Sequence, residues 1–307
     1  MPKPTVDLHI HTVHSDGSQS VAELLGQLRE LGIQIASFTD HDCVRAYADL
    51  PGLERQLAGL TLLPGAELSF AHHGEVRHML GYGIDIARIQ AYLDEQYSFE
   101  KSLANQERII TQFKAICDAK GLQYDPDVHA VTGNNAEAFL AMYQSLISYP
   151  ENVQKYPFIA DNTIFYWDYF ANRASDFYVD VTVGWVDLPT IVDTIHSAGG
   201  LAFLAHPFAH GLSRDGIAAL VGEAAFSGAD GVEIQHASTY AEEISLLRSL
   251  AARHGLYASG GSDYHGTVKP NRALGTAHGN ICITREEIAP WLPKVRTYAS
   301  GSLGGIS

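Results

Sequence analysis

Short apolar runs that end in imidazole or carboxylate side chains alternate along this chain with segments whose apolar residues recur at helical spacing. Val6 to Ile10 reads as a strand entering a histidine pair, and SVAELLGQLREL (residues 20–31) carries a helical apolar stripe behind a serine cap, stopped by Gly32. IQIASFTDHD reads as a second strand ending in Asp and His, and LTLLPGAELSF as a third that ends near Glu67. Beyond GWVDLPTIVDTIHSAGG, a helix closed by its glycines, LAFLAHP is again a strand. Helix-like SRDGIAALVGEAAFSGA then leads into GVEIQH, and ISLLRSLAARHG into LYASGGSDYH. Strands alternating with helices imply a parallel sheet or barrel whose functional groups gather at the strands' C-terminal ends.

That rhythm breaks between residues 98 and 183, where FEKSLANQERIITQFKAICDAKG is a long helical pattern and the aromatic-rich YPFIADNTIFYWDYF follows. The expected organisation is therefore a discontinuous α/β barrel of residues 1–97 and 184–307, interrupted by a mainly helical insertion at 98–183. The insertion's aromatic residues are expected chiefly to pack a small core of its own, although such rings also stack on bases and sugars. The Gly/Ser-rich tail SGSLGGIS reads as flexible.

Composition narrows the partners. With 307 residues, 46% hydrophobic and 18% charged, the chain has enough apolar material for one large folded domain or one carrying an insertion. A formal net charge of −15 argues against duplex nucleic acid and anionic membranes, which need clustered Lys and Arg. Bound divalent metals would supply local positive charge and keep a small anionic substrate compatible with this balance. Cys43, Cys117 and Cys282 show no CxxC spacing, and neither a signal peptide nor a run of about 18 apolar residues is found, so a cytoplasmic location is expected.

The chemistry begins in DLHIHTVHSDG. His9 and His11 are two apart on a strand, so both side chains leave one face and can converge on one ion. Alone, such a pair also fits a hydrogen-bonded strand end, and Asp16 in SDG also fits a turn. The same residue types recur where other strands end: His41 in FTDHD, Glu67 in GAELS, His78 in VRHMLGYG, His206 in AHP, and Asp263 and His265 in GSDYH. Imidazole and carboxylate together suit zinc, manganese or iron, and a carboxylate can bridge two ions.

In their order along the chain, DLHIHTVHSDG, FTDHD, GAELS, the His78 segment, LAHP and GSDYH resemble the polymerase and histidinol phosphatase (PHP) superfamily of metal-dependent phosphoesterases. The resemblance covers roughly residues 5–97 and 184–280 and is nearest to the nucleotide and 3′,5′-bisphosphonucleotide phosphatase-like branch. It implies a distorted seven-stranded, TIM-like (β/α) barrel with a helical lid and a trinuclear site at the barrel's C-terminal rim. Carried over residue by residue, His9, His11, Glu67 and Asp263 hold a first metal, and Glu67 bridges to a second completed by His78 and His206. Asp16, His41 and His265 hold a third.

A hydroxide bridging two such ions is nucleophilic near neutral pH, and a neighbouring ion offsets charge on phosphoryl oxygens, so hydrolysis of a small phosphomonoester of nucleotide or sugar phosphate type is the expected reaction. Two or three manganese, zinc or iron ions are the expected cofactors, with Glu67 and Asp263 at the catalytic centre. His210 is a candidate proton donor to the leaving group, although a solvent-exposed loop histidine reads as well.

One departure from the branch concerns the substrate. An Arg and a His in an (S/T)R(P/T)H-like stretch of the insertion bind substrate phosphate there, whereas the comparable region here is VTGNNAEAFLAMYQ. Replacement candidates are Arg108, Lys155, Arg173, Arg214, Lys269 and Arg272, none singled out by spacing. Rival expectations keep the metals and change the role: attack on an amide or lactam, exonucleolytic cleavage of a short oligonucleotide, or a non-catalytic metal-binding regulatory module. Oligomeric state is not readable from the sequence.

Overall fold

The computed structural model describes residues 5–131, 135–276 and 283–298, without the side chains of residues 135, 136 and 210. Cys282, His278 and the Gly/Ser-rich tail lie outside the described residues. Two sheets carry the α/β part. Strands β1 (Val6–Ile10), β2 (Ile35–Phe38) and β3 (Thr61–Leu62) form a parallel sheet in that order. Strands β4 (Gly65–His72), β5 (Glu75–Tyr82), β6 (Leu201–Leu204), β7 (Gly231–Gln235) and β8 (Tyr257–Gly260) form a second sheet, also in chain order.

Within the second sheet β6, β7 and β8 are parallel, and the helices Arg214–Phe226 and Ala241–His254 supply the crossovers such pairing needs. Strand β6 runs antiparallel to β5, with Met79 opposite Leu204 and Tyr82 opposite Leu201. Isolated parallel bridges join Ile10 to Tyr264 and His41 to Glu67, so the sheets meet where β1, β2 and β8 end.

The mixed α/β architecture agrees with the alternation in the sequence, but the ladders fall into two sheets and do not themselves close the distorted TIM-like barrel that was expected. Two local causes are visible. LTLLPGAELSF is split: Pro64 has no N–H to give a ladder, and the residues on its two sides fall in different sheets. Next, His73 and Gly74, both at positive φ (51° and 75°), make a tight turn that brings the chain straight back as β5 in place of a helical crossover.

The first helix, Val21–Leu31, follows from its sequence. Ser20 accepts from the Glu23 amide while the Glu23 carboxylate accepts from the Ser20 amide at 2.8 Å, a reciprocal cap that satisfies two otherwise orphaned donors. Gly32, at φ 78°, closes it, and Val21, Leu24, Leu25 and Leu28 are buried. The remaining core helices follow the same logic: Asp187 caps Leu188–Ser197 and Ser213 caps Arg214–Phe226, each presenting an apolar stripe to the core.

The chain divides into two compact units, one comprising residues 1–70, 77–93 and 186–307, the other 71–76 and 94–185. The second unit has its own core, built on the 22-residue helix Phe99–Lys120 and the helix Asn135–Ile147. Phe113, Phe139, Phe165 and Phe170 cluster there with ring centroids 4.8–6.1 Å apart, so these aromatics pack a core. Trp167, between Phe165 and Phe170 in the same short helical segment, is 66% exposed. No helix among the described residues is long and apolar enough to cross a membrane.

Candidate metal centre

All nine residues singled out as metal ligands belong to the first unit and come together there. Strand β1 is buried along its whole length and carries His9, and His11 follows directly on its last residue, also buried. Their Nε2 atoms are 3.1 Å apart. Glu67 Oε2 lies 3.1 Å from His9 Nε2 and 3.2 Å from His11 Nε2, and Asp263 Oδ1 lies 3.5 and 3.1 Å from the same two atoms.

These separations test the fit to an ion. Ligand atoms about 2.1 Å from a metal are about 3.0 Å apart in octahedral and about 3.4 Å apart in tetrahedral coordination. The five separations that involve a histidine nitrogen, 3.1–3.5 Å, lie within that range to a tenth of an ångström. As a hydrogen-bonded set they fit worse, because two ring nitrogens face each other and two carboxylate oxygens while at most one proton lies between any pair. Four buried nitrogen and oxygen atoms gathered this closely suit a cation once the His9 Nε2 proton is released.

Two further groups adjoin the first. Glu67 Oε1 is 2.6 Å from His206 Nε2 and 3.2 Å from His78 Nδ1, and Oε2 is 3.2 Å from His41 Nδ1. His11, Asp16, His41 and His265 form another group, in which Asp16 Oδ2 is 3.1 Å from His265 Nε2 and 3.9 Å from His41 Nε2. Both nitrogens of His11 and of His41 face donors of different groups, and both oxygens of Glu67 are engaged. His41 thus stands with Glu67 and His78 as well as with Asp16 and His265.

The backbone is strained where it delivers two of these side chains. His206 has φ 24° and Asp263 φ 50°, in the left-handed region that favours glycine. His206 also precedes Pro207, a position biased towards extended conformations. Such conformations cost about 1–3 kcal/mol each and persist where surroundings overdetermine them. Gly261 lets the end of β8 close on β1: a Cβ there would stand 2.4 Å from both His9 N and His9 Cβ. That contact distance brings Asp263 level with His9.

Several supporting residues were not selected from sequence. Glu233 is fully buried in β7; its Oε1 accepts from His9 Nδ1 at 2.9 Å and its Oε2 from the His206 amide at 2.8 Å. The available signal was a charged residue flanked by the apolar Val232 and Ile234. His236, at the end of GVEIQH, is buried with Nε2 3.0 Å from Asp263 Oδ2. Asp40 accepts from the Thr12 amide and hydroxyl, each at 2.8 Å, and from Ser15 Oγ at 2.6 Å, so it holds the loop that carries Asp16. His14, the third histidine of DLHIHTVHSDG, pairs with Asp49 at 2.7 Å. His210 ends the turn Pro207–His210, and its side chain lies outside the described residues.

Electrostatics divides the histidines. Burial pushes His41 down to about 3 and His265 down to about 4, which keeps both neutral and able to ligate. Burial opposes charge on His9 too, but the adjacent Glu233 and Glu67 carboxylates more than reverse this and lift it to about 10. Glu67 is itself held well below the usual carboxylate range, because the surrounding imidazoles outweigh its burial. In the metal-free protein His9 is therefore protonated at neutral pH and must release that proton to ligate. Metal affinity is expected to rise with pH between 6 and 8, by up to about tenfold per unit for one displaced proton. Competition titrations over that range check this, and a flat profile would contradict it.

The family model described as the PHP domain matches residues 7–158. A 5′-3′ exoribonuclease of Haemophilus influenzae is 28% identical over 261 residues, covering 84% of this chain and 89% of that protein. A 3′,5′-nucleoside bisphosphate phosphatase of Chromobacterium violaceum is 26% identical over 270 residues, covering 88% and 90%. Among solved structures, a Chromobacterium violaceum amidohydrolase with bound sulfate and no metal superposes with a TM-score of 0.60 at 25% identity, over 93% of this chain and 96% of that one. With those relatives spanning most of its length and a donor constellation suited to metal ions, the chain belongs to the PHP superfamily of metal-dependent phosphoesterases.

Proposed function

We propose that this protein hydrolyses a small phosphomonoester, of nucleotide or sugar phosphate type, at a centre of three divalent transition metals chosen from manganese, zinc and iron. The observation that carries the reading is Glu67, whose two carboxylate oxygens together face five imidazoles within 3.2 Å. One ion falls to His9, His11, Glu67 and Asp263, a second to Glu67, His78 and His206, and a third to Asp16, His41 and His265. Bound ions supply a water-derived nucleophile at neutral pH and offset charge on the phosphoryl oxygens.

The chain's own residues set the conditions for that chemistry. Glu233 accepts from His9 Nδ1 and so directs the Nε2 lone pair inwards. Burial keeps His41 and His265 neutral. Asp263, held at positive φ and met by His236, presents Oδ1 to the first group. We read the two sheets as one distorted barrel, closed by the Ile10–Tyr264 and His41–Glu67 bridges, with this centre at its rim. The buried, unpaired Cys43 and Cys117 accord with a reducing compartment.

A second reading, removal of nucleotides from the end of a short RNA, has the Haemophilus influenzae relative in its favour. The net charge of −15 weighs against long or duplex partners. One experiment separates the two: metal-supplemented protein is assayed against mononucleotides, nucleoside bisphosphates, sugar phosphates and short 5′-phosphorylated RNA. The monoesterase reading expects inorganic phosphate from the small esters, two or three metals per chain by elemental analysis, and loss of activity on chelation. Mononucleotide release from RNA alone would favour the second reading, and amine release from amide substrates an amidohydrolase. Metal retained without turnover of any substrate would leave a regulatory metal-binding module.

A further inference from the structure

The sequence VTGNNAEAFLAMYQ stands where similar proteins carry an (S/T)R(P/T)H-like stretch for substrate phosphate, yet a phosphoesterase of the kind proposed above must hold the phosphoryl oxygens against its metals. Six basic residues were open to that role, and two of them stand at the metal centre. Lys269 Nζ is 2.9 Å from His265 Nε2 and 3.6 Å from Asp263 Oδ2. Arg272 Nη1 donates to the Asp263 main-chain oxygen at 3.0 Å and also contacts the Asp263 carboxylate. Others are engaged elsewhere: Lys155 with the Lys120 carbonyl, Arg214 with Glu242.

The segment bearing the pair is tethered at both ends to the metal-site scaffold. Ser18, two residues beyond Asp16, accepts from the Thr267 amide at 2.8 Å, and its own amide donates to the His265 carbonyl at 3.1 Å. Gly266, at φ 66°, allows this approach, since a Cβ there would stand 2.1 Å from Ser18 Oγ. At the far end the Gly275 amide donates to Asp7 at 2.6 Å, and the same buried carboxylate accepts from Ser262 Oγ at 2.6 Å. Lys269 and Arg272 are therefore positioned by the same contacts as Asp263 and His265. Neither is a solvated surface charge, the side chains being 34% and 17% exposed.

Their present partners include atoms that an ion would claim. His265 Nε2 has one lone pair and cannot serve an ammonium and a metal together. Metal binding thus frees the Lys269 ammonium at the edge of the centre, on a flexible four-carbon stem. Arg272 retains its main-chain anchor, which is no metal ligand, and its planar fork has further donors to offer. The carboxylates of Asp16, Glu67 and Asp263 do not neutralise a two- or three-ion centre, so what these cations meet is an anion bound to the metals.

We propose that Lys269 and Arg272 are the phosphate clamp of this chain, binding the non-bridging oxygens of a terminal phosphate and thereby favouring a dianionic monoester over an internal diester. The inference rests on the phosphoesterase reading, and the test keeps the two apart. Binding of inorganic phosphate to manganese-loaded, full-length protein is measured calorimetrically for the wild type, Lys269→Met, Lys269→Arg and Arg272→Gln, beside manganese content, thermal unfolding and steady-state kinetics. The phosphate Kd and the ester KM are expected to rise about tenfold to a hundredfold in Lys269→Met and Arg272→Gln, the span given by one lost hydrogen bond between charged groups. Lys269→Arg should recover most of the loss, with manganese content and unfolding midpoint unchanged throughout.

Unchanged phosphate binding and KM in both variants would overturn the clamp while leaving the phosphoesterase reading intact. Loss of manganese in step with loss of phosphate binding would also overturn it, since the pair would then serve the metals. Phosphate binding that weakens as expected, in a wild type that hydrolyses no ester, would support the clamp and defeat the reading it rests on.

Discussion

Glutamine in place of Glu67 is expected to lower turnover by about a thousandfold or more, because a metal centre supplies several kcal/mol of transition-state stabilisation and each ~1.4 kcal/mol is tenfold in rate. Oε2 lies within 3.2 Å of His9, His11 and His41, and Oε1 within 3.2 Å of His78 and His206. An amide keeps the shape and replaces one of those oxygens by an NH2 group that has no lone pair for an ion. Whichever way it turns, one side of the centre loses its shared ligand. The fold should survive, since the side chain's volume is retained. Turnover and elemental analysis check this together: metal content should fall with activity, and a variant that keeps both at wild-type levels would remove Glu67 from the centre.

The second large effect is expected at a residue that touches no substrate. Glu233→Ala removes the acceptor for His9 Nδ1 and for the amide of His206, the ligand held at φ 24° ahead of a proline. Breaking a buried ion pair by deleting one partner costs about 3–5 kcal/mol. Loss of an orienting carboxylate behind a ligating imidazole weakens metal binding about tenfold to a hundredfold. Urea unfolding of the metal-free protein and a metal competition titration measure the two effects separately. Glu233→Gln, which retains one acceptor, should fall between alanine and wild type in both. Wild-type stability and metal affinity in the alanine variant would show that His9 is oriented by something else.

Much of the centre was legible because its parts are local. HxH on a strand puts two imidazoles on one face by period alone, and the caps at Ser20 and Gly32 delimit a helix without reference to anything distant. The strand that splits at Pro64 was misread as continuous, since a proline's missing donor matters only once its would-be neighbour is known. Glu233 was passed over because a lone carboxylate flanked by apolar residues gains its meaning from His9, 224 positions away. Lys269 and Arg272 could not be told from four other basic residues until the ties to Ser18 and Asp7 placed their segment.

By itself, then, the sequence determined the residue types at the strand ends, the alternation of strand and helix, and the interruption by an aromatic-rich segment, all set by spacing along the chain. The tertiary structure alone decided which of these donors come together, through contacts no periodicity encodes. Gly261 admits β8 against β1, His206 and Asp263 take left-handed backbone, and Glu67 meets His41 across a bridge between sheets. The physical reason is that ligand geometry is fixed to tenths of an ångström by long-range packing, whereas pattern and propensity act over a few residues.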